Sequence, residues 1–500
     1  MKKLVLVGLV LLASVIVLVG CDTNAGDTPK STNKAEDLTL TIKDASGSPM
    51  SVTLEDTDSD GYYEIGTADK LYAFAAAVND KGLLTINGKL TSSIVVNETV
   101  LDEQGKLSKN VTFRSWTPIG NGDTPYTGIF DGAGYTISGL YFNDTNTSYA
   151  GLFGNLREGG SVQNLGVLDS YFCGGEYVGG IVGYNGGAVS NCYNKGDVIG
   201  TSEGSSCFVG GVVGDNWGQV TNCYNTGDVS GTSEGSYCYV GGVVGFNYQD
   251  STVTDCYNTG DVSGTATGED SACSVGGVVG DNHGQVTNCY NTGAVRGTAT
   301  HCSVGGVVGD NSGQVTTCYN TGDVSGTSVG FSCSVGGVVG LNFSTISNCY
   351  NTGDVSGTSE GSYCYVGGVV GQNYGDVNTC YNTGSVSSTA TYCSVGGVVG
   401  DNSGQVTTCY NIGSVTREDA TYSVGGVVGQ NYGGDVSNCY YLSGKAEIGV
   451  GNGNGTAEAK GEFFFKGEDM AEFLNDNQED GPWEYINEKS APTLKAFNKG

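Results

Sequence analysis

The sequence predicts an all-β solenoid: a chain wound into about ten stacked coils of about 31 residues, with a small cap at each end. Three observations predict it. The string V-G-G-V-V-G, followed about a dozen residues later by N-C-Y-N-T-G, recurs along the chain, most completely from Val209 to Gly227. The cysteines of the second string (Cys192, Cys223, Cys256, Cys289, Cys318, Cys349, Cys380, Cys409 and Cys439) follow one another at steps of 29 to 33 residues. Each copy holds short Val-rich runs cut by Gly and Asn, which read as strands and turns. A fixed period of this size marks a repeat architecture. One such unit cannot bury its apolar side alone, whereas stacked copies share a continuous core.

The competing repeat classes fail on residue type. Glycine is 86 of 500 residues, and each glycine in a helix costs about 1 kcal/mol against alanine, which removes ankyrin and tetratricopeptide units. The calcium-binding β-roll needs G-G-x-G-x-D every nine residues, and a propeller blade needs about 40 residues with four longer strands. Within one coil we expect three short strands, tight corners and one longer excursion. Gly231 to Tyr237 is assigned to that excursion, because this stretch varies most in length between copies.

Taken in order, the chain opens on an export signal over residues 1–21: Lys2-Lys3, then an apolar run from Leu4 to Leu18, then Leu18-Val19-Gly20-Cys21. The L-x-G-C ending resembles the bacterial lipobox. That resemblance implies cleavage before Cys21, lipidation of its sulfur, and attachment of the mature chain to a membrane. Residues 22–37 form a polar tether without apolar periodicity. Residues 38–148 hold strand-like runs (38–42 and 51–54), one helix and the first irregular coils. The helix covers 67–78, with Thr67 at its N-cap and Leu71, Phe74, Ala75 and Val78 on one face. It suits the open edge of the first coil, which a solenoid must cover. The repeats occupy 149–445, and residues 446–500, with Phe463-Phe464-Phe465, Met470 and Trp483, form a closing cap.

The repeated strings resemble the GLUG repeat family of bacterial exported and surface proteins, which includes stalk regions of IgA-cleaving metallopeptidases. The resemblance covers roughly residues 60–445. It implies a right-handed parallel β-helix in a surface lipoprotein and carries little about activity.

Composition narrows the partners. A formal net charge of −31 with a sequence pI near 4.1 repels nucleic acid and anionic lipid, so no nucleic-acid partner is expected. Between residues 160 and 440 the basic side chains are Lys195, Arg296 and Arg417, too few to hold an acidic polysaccharide. No unique acid–base group stands out, which leaves the expectation of a non-catalytic cell-surface protein without a cofactor. The expected partners are the membrane, through the lipid anchor, and a glycan or a host or envelope protein. A polysaccharide lyase or hydrolase and a passive stalk are the alternatives.

Candidate site residues are few in kind. In an exported chain the cysteines point to disulfides. Pairing each cysteine near V-G-G with the next N-C-Y cysteine gives Cys173–Cys192, Cys207–Cys223, Cys238–Cys256, Cys273–Cys289, Cys302–Cys318, Cys333–Cys349, Cys364–Cys380 and Cys393–Cys409, with Cys439 left over where Tyr422 replaces its partner. Asp56, Asp58 and Asp60 resemble the first half of a calcium loop, but Thr67 stands where the bidentate glutamate belongs; the alternative is an acidic turn. Two carboxylate series recur, Asp197, Asp228, Asp261, Asp323 and Asp354 after glycine, and Asp215, Asp281, Asp310 and Asp401 before asparagine. They read as a solvated stripe or a divalent-ion surface. Tyr193, Tyr224, Tyr257, Tyr290, Tyr319, Tyr350, Tyr381, Tyr410 and Tyr440 are expected to stack as a ladder, structural or glycan-facing.

Overall fold

The computed structural model describes residues 34–500 except 205, 236, 361–362, 418–422, 467–469, 473–474, 476–482, 485–492 and 495–500. The signal segment 1–21, Cys21 and Tyr422 therefore lie outside the described residues.

The repeats coil into a parallel β-solenoid of about ten turns, as the period predicts. One coil shows the pattern: strands Val213–Asn216, Gln219–Thr221, Tyr224–Asn225, Val229–Ser233 and Tyr237–Gly241 follow one another. Each pairs in parallel with its counterpart one coil on, for example Val213↔Val244, Val220↔Val253, Tyr224↔Tyr257, Val229↔Val262 and Val240↔Val275. Four long parallel sheets result, and the last two strands of each coil share one of them.

This corrects the expected excursion. Gly231 to Ser233 is strand, and in two coils the stretch is continuous strand, Val295–Gly305 and Val324–Gly336. Its Gly, Thr and Ser residues read as turn formers in isolation. Next to identical residues in the adjacent coil they pair instead.

The core consists of valine files. Val209, Val212, Val213 and Val220 have no solvent exposure, and the equivalents Val240, Val243, Val244 and Val253 match them one coil on. β-Branched side chains suit a pleated surface packed on like neighbours. The second glycine of each V-G-G is fixed by close approach: a Cβ on Gly306 would strike the Gly337 carbonyl and the Asn320 amide.

Two buried asparagine ladders turn the corners, and sequence reasoning did not anticipate them. Asn216 donates from Nδ2 to Asn247 Oδ1 at 2.8 Å and accepts from the Gly218 N–H at 3.2 Å. In the second ladder Asn225 Nδ2 donates to Asn258 Oδ1 at 2.9 Å and to the Gly227 carbonyl at 2.7 Å. Each amide thus satisfies its own corner and the next coil, which allows full burial. The signal was present in the sequence as N-x-G at most corners, Asn247-Tyr248-Gln249 and Asn342-Phe343-Ser344 being exceptions.

The residue before each N-C-Y cysteine lies at positive φ. Asn222, Asn288 and Asn348 hold it at 52–55°, and Thr317, Thr379 and Thr408 hold it at 55–57°. Asparagine tolerates this left-handed region, whereas a β-branched residue there is strained.

Parallel pairing extends past the repeats. Strands β1 (Leu38–Lys43) and β2 (Pro49–Leu54) form an antiparallel hairpin. Strand β3 (Tyr62–Ile65) then pairs in parallel with β4 (Asn87–Leu90), which joins the sheet of the coils. Helix α1, Ala68–Asn79, connects them; the Thr67 side chain accepts from the Lys70 N–H, and Leu71, Phe74, Ala75 and Val78 are buried. Phe74 meets Phe130 and Tyr126 edge-on at 5.6 and 6.0 Å, closing the first coils. At the other end Ala457–Lys460 pairs with Cys439–Leu442. Beyond it, Phe465 and Met470 bury against Tyr381, Tyr410 and Tyr440.

Candidate ligand-binding face

The expected tyrosine ladder forms. From Tyr193 to Tyr410 successive rings stack at 4.7–4.9 Å with interplanar angles of 1–6°. That spacing is the strand separation of a parallel sheet, so the ladder follows from register. Its upper rungs are covered by the C-terminal segment.

The 17 described cysteines are all buried and unbridged in this structure. Cys207, Cys238, Cys273, Cys302, Cys333, Cys364 and Cys393 stand in one file, each the register partner of the next. The N-C-Y cysteines stand in another, tied by bonds such as Cys192 N–H to Cys223 Sγ at 3.4 Å. The Cys207 sulfur lies 2.9 Å from that of Cys238. Cys173 belongs to neither file, because it pairs with Ile199.

Asp56, Asp58 and Asp60 come within 4.8 Å of one another. Their oxygens are already engaged. Asp56 accepts from the N–H groups of Ala35, Gly61 and Asp60 at 2.7, 3.0 and 3.1 Å, and Lys89 Nζ lies 3.2 Å from Asp60 Oδ2. These bonds fit the acidic turn, with Asp56 capping the backbone N–H groups of the loop. The series after glycine is also structural. Asp354 accepts from the Ser385 N–H at 2.9 Å, while Asp228 and Asp261 pair with Lys106 and Arg296 at 3.0 and 3.3 Å. Burial pushes Asp197 up to about 6.

The series before asparagine behaves differently, because it lies among aromatic rings. Three files share one side of the solenoid: the residue before V-G-G, the residue before the corner asparagine, and the residue after it. In the first file Tyr149, Tyr177, Phe208 and Tyr239 stack at 5.1–5.3 Å. In the second, Tyr184 and Phe246 meet those rings edge-on, Tyr184 to Tyr177 at 5.9 Å and Phe246 to Tyr239 at 5.4 Å. In the third, Trp217 stacks on Tyr248 with ring centroids 3.5 Å apart. Trp217 is 45% exposed and Tyr248 39%.

In the second file Asp215 stands between Tyr184 and Phe246, Asp281 follows Phe246, and Asp310 stands between Asp281 and Leu341. Asp215 is 5% exposed; its Oδ2 accepts from the Trp217 indole N–H at 2.9 Å, and its buried Oδ1 has no partner. Burial pushes its carboxyl up to about 7. Asp281 pairs with His283, Nε2 to Oδ1, at 3.2 Å, and Phe246 stacks on that imidazole at 5.2 Å. The bond to Asp281 raises the His283 pKa, while burial raises that of Asp281. Asp310 follows one coil on; burial, then the neighbouring Asp281, pushes it up to about 8. Sequence reading found no unique acid–base group. This one escaped because Asp281 and Asp310 are 29 residues apart and meet only through the coil register.

Five segments match the GLUG motif family: 174–199, 206–230, 236–263, 331–356 and 420–440. Two curated relatives share shorter stretches. A protein of Evansella cellulosilytica, provisionally named a Gly-rich membrane protein, is 37% identical over 79 residues, 15% of this chain and 9% of its own length. Halomucin of Haloquadratum walsbyi is 30% identical over 175 residues, 34% of this chain and 2% of its own. The chain thus spans under a tenth of either relative. A crystal structure from Bacteroides ovatus, provisionally named an immunoglobulin A1 protease, superposes over 87% of this chain and 92% of that one, at 17% identity and a TM-score of 0.26. At that score it carries no argument. Five stretches of the chain thus match the GLUG motif, within repeats that fold as a parallel β-solenoid.

Proposed function

We propose that the chain is a lipid-anchored, non-catalytic cell-surface protein that uses its solenoid to present one repeated face for adhesion or envelope interaction. The observation that carries this reading is the register: each coil repeats the residue types of the last at about 4.8 Å spacing, as the stacked tyrosines display. Repetition suits many weak contacts acting together better than one precise active centre. The lipobox-like Leu18-Val19-Gly20-Cys21 supplies the anchor, and one relative carries the name of a membrane protein. The test is Cys21→Ser in the producing cell. The variant should leave the membrane fraction or stall before maturation; unchanged membrane attachment would contradict the anchoring.

One observation favours a second reading, a polysaccharide-cleaving β-solenoid. Asp281, His283 and Asp310 provide neighbouring carboxyl groups and an imidazole of the kind general acid–base chemistry uses. Incubation with neutral and anionic polysaccharides, scored by new reducing ends, decides between the two. Release that disappears in Asp310→Asn would replace the non-catalytic reading.

A further inference from the structure

We propose that the aromatic and carboxylate strip along Tyr177, Phe208, Trp217, Tyr239 and Tyr248 binds a neutral, extended polysaccharide chain lying parallel to the solenoid axis. This deepens the surface-presentation reading and rests on it.

The geometry argues for a linear ligand. Rings stack coil on coil in the first file, from Tyr149 to Tyr239, and in the third, Trp217 on Tyr248, so the apolar platform is a strip whose length runs along the axis. The exposed edge of the strip is Trp217 and Tyr248, and the half-buried first file forms its floor. Rigid rings give contact area at small entropic cost and accept the apolar faces of sugar rings.

The polar groups argue for hydroxyl donors. Asp215 is 5% exposed, lies among Tyr177, Tyr184 and Trp217, and one of its oxygens has no partner. A buried acceptor left unpaired costs roughly 1–3 kcal/mol, so a ligand hydroxyl gains by reaching it. A few polar groups in an apolar, ring-lined setting is the usual make-up of a ligand site.

Charge selects the neutral class. An anionic polymer would set its carboxylates beside Asp215, Asp281 and Asp310 on a chain of net charge −31. A cationic peptide would gain from ionised aspartates, but burial favours the protonated carboxyl at Asp215 and Asp310. The rings also run as open files and do not close into a cage around a point charge.

The experiment is affinity electrophoresis of the full-length chain in gels containing hydroxyethylcellulose, barley β-glucan or galactomannan, with polygalacturonate and poly-lysine as charged probes. At least one neutral polymer should retard the protein and shift its tryptophan fluorescence. Trp217→Ala with Tyr248→Ala should weaken that binding at least tenfold, and Phe331→Ala, which lies off the strip, should not. Trp217 and Tyr248 are exposed, so the double variant should keep the parent's far-UV circular dichroism. Retardation by none of the neutral polymers, retention by poly-lysine alone, or full binding by the double variant each overturns the proposal. Loss of cell attachment on coil deletion without neutral-polymer binding would sink this inference and leave surface presentation standing. Polymer binding by a chain that is not anchored would do the reverse.

Discussion

Cys207 and Cys238 are 31 residues apart in the chain, yet their sulfurs lie 2.9 Å apart across adjacent coils. Their Cα atoms are register partners, and a strand spacing of about 4.8 Å falls inside the range a disulfide spans. Mild oxidation with copper phenanthroline in air, which takes two electrons from the thiol pair and releases two protons, should link Cys207 to Cys238. Non-reducing peptide mapping checks it. A Cys207–Cys223 peptide would contradict the pairing of Cys207 with Cys238 across the coils.

The asparagine ladders should be costly to interrupt. Asn320 donates to Asn351 and to the Gly322 carbonyl and accepts from Asn291. Alanine there strands buried partners on both sides, each worth about 1–3 kcal/mol. Asn320→Ala should therefore lower stability by roughly 3 kcal/mol or more, read as a lower denaturant midpoint and as new protease cleavage near residue 320.

Strain at the turn before N-C-Y offers the opposite sign. Thr317, Thr379 and Thr408 adopt φ of 55–57°, where most repeats place asparagine. Each Thr→Asn substitution should stabilise by about 0.5–1 kcal/mol through relief of left-handed strain. The triple variant should show a raised melting temperature, and a fall would contradict the turn geometry.

The buried carboxyls set the pH dependence. Asp401, Asp215 and Asp310 are pushed up to about 6, 7 and 8 by burial, against about 3.9 in the unfolded chain. Between pH 4 and 8 the folded state therefore holds more protons than the unfolded one. Stability falls as pH rises, by at most about 1.4 kcal/mol per pH unit for each such group. The raised pKa of His283 acts in the same direction above pH 6.5. Melting temperature should be higher at pH 4.5 than at pH 8, and Asp310→Asn should flatten the slope. A protein that gains stability over this range would show these carboxyls to be solvated.

Features that repeat within one copy were legible in the sequence. Features that depend on the neighbouring coil were not. The Val209-to-Gly227 string pointed to the solenoid, and Thr67 with Leu71, Phe74 and Val78 pointed to helix α1. Gly231 to Ser233 was misread because its strand character comes from the same residues one coil away. Pairs such as Cys207–Cys223 look only inside one copy, whereas in a solenoid the register partner of Cys207 is Cys238, one coil on. Asp281 stands beside Phe246 on one side and Asp310 on the other through register, which local pattern does not encode.

Removal of whole coils tests the account most directly. Val213 and Val279 hold equivalent register positions, with Val244 between them. Deleting 213–243, or 213–278, therefore removes one or two coils, Trp217 and then Tyr248 with them, and lets the flanking coils restack. Cells displaying these chains should attach to their surface in proportion to the coils retained, while both shortened proteins keep the parent's circular dichroism per residue. Undiminished attachment after the two-coil deletion would contradict a repeated face as the working part of the molecule.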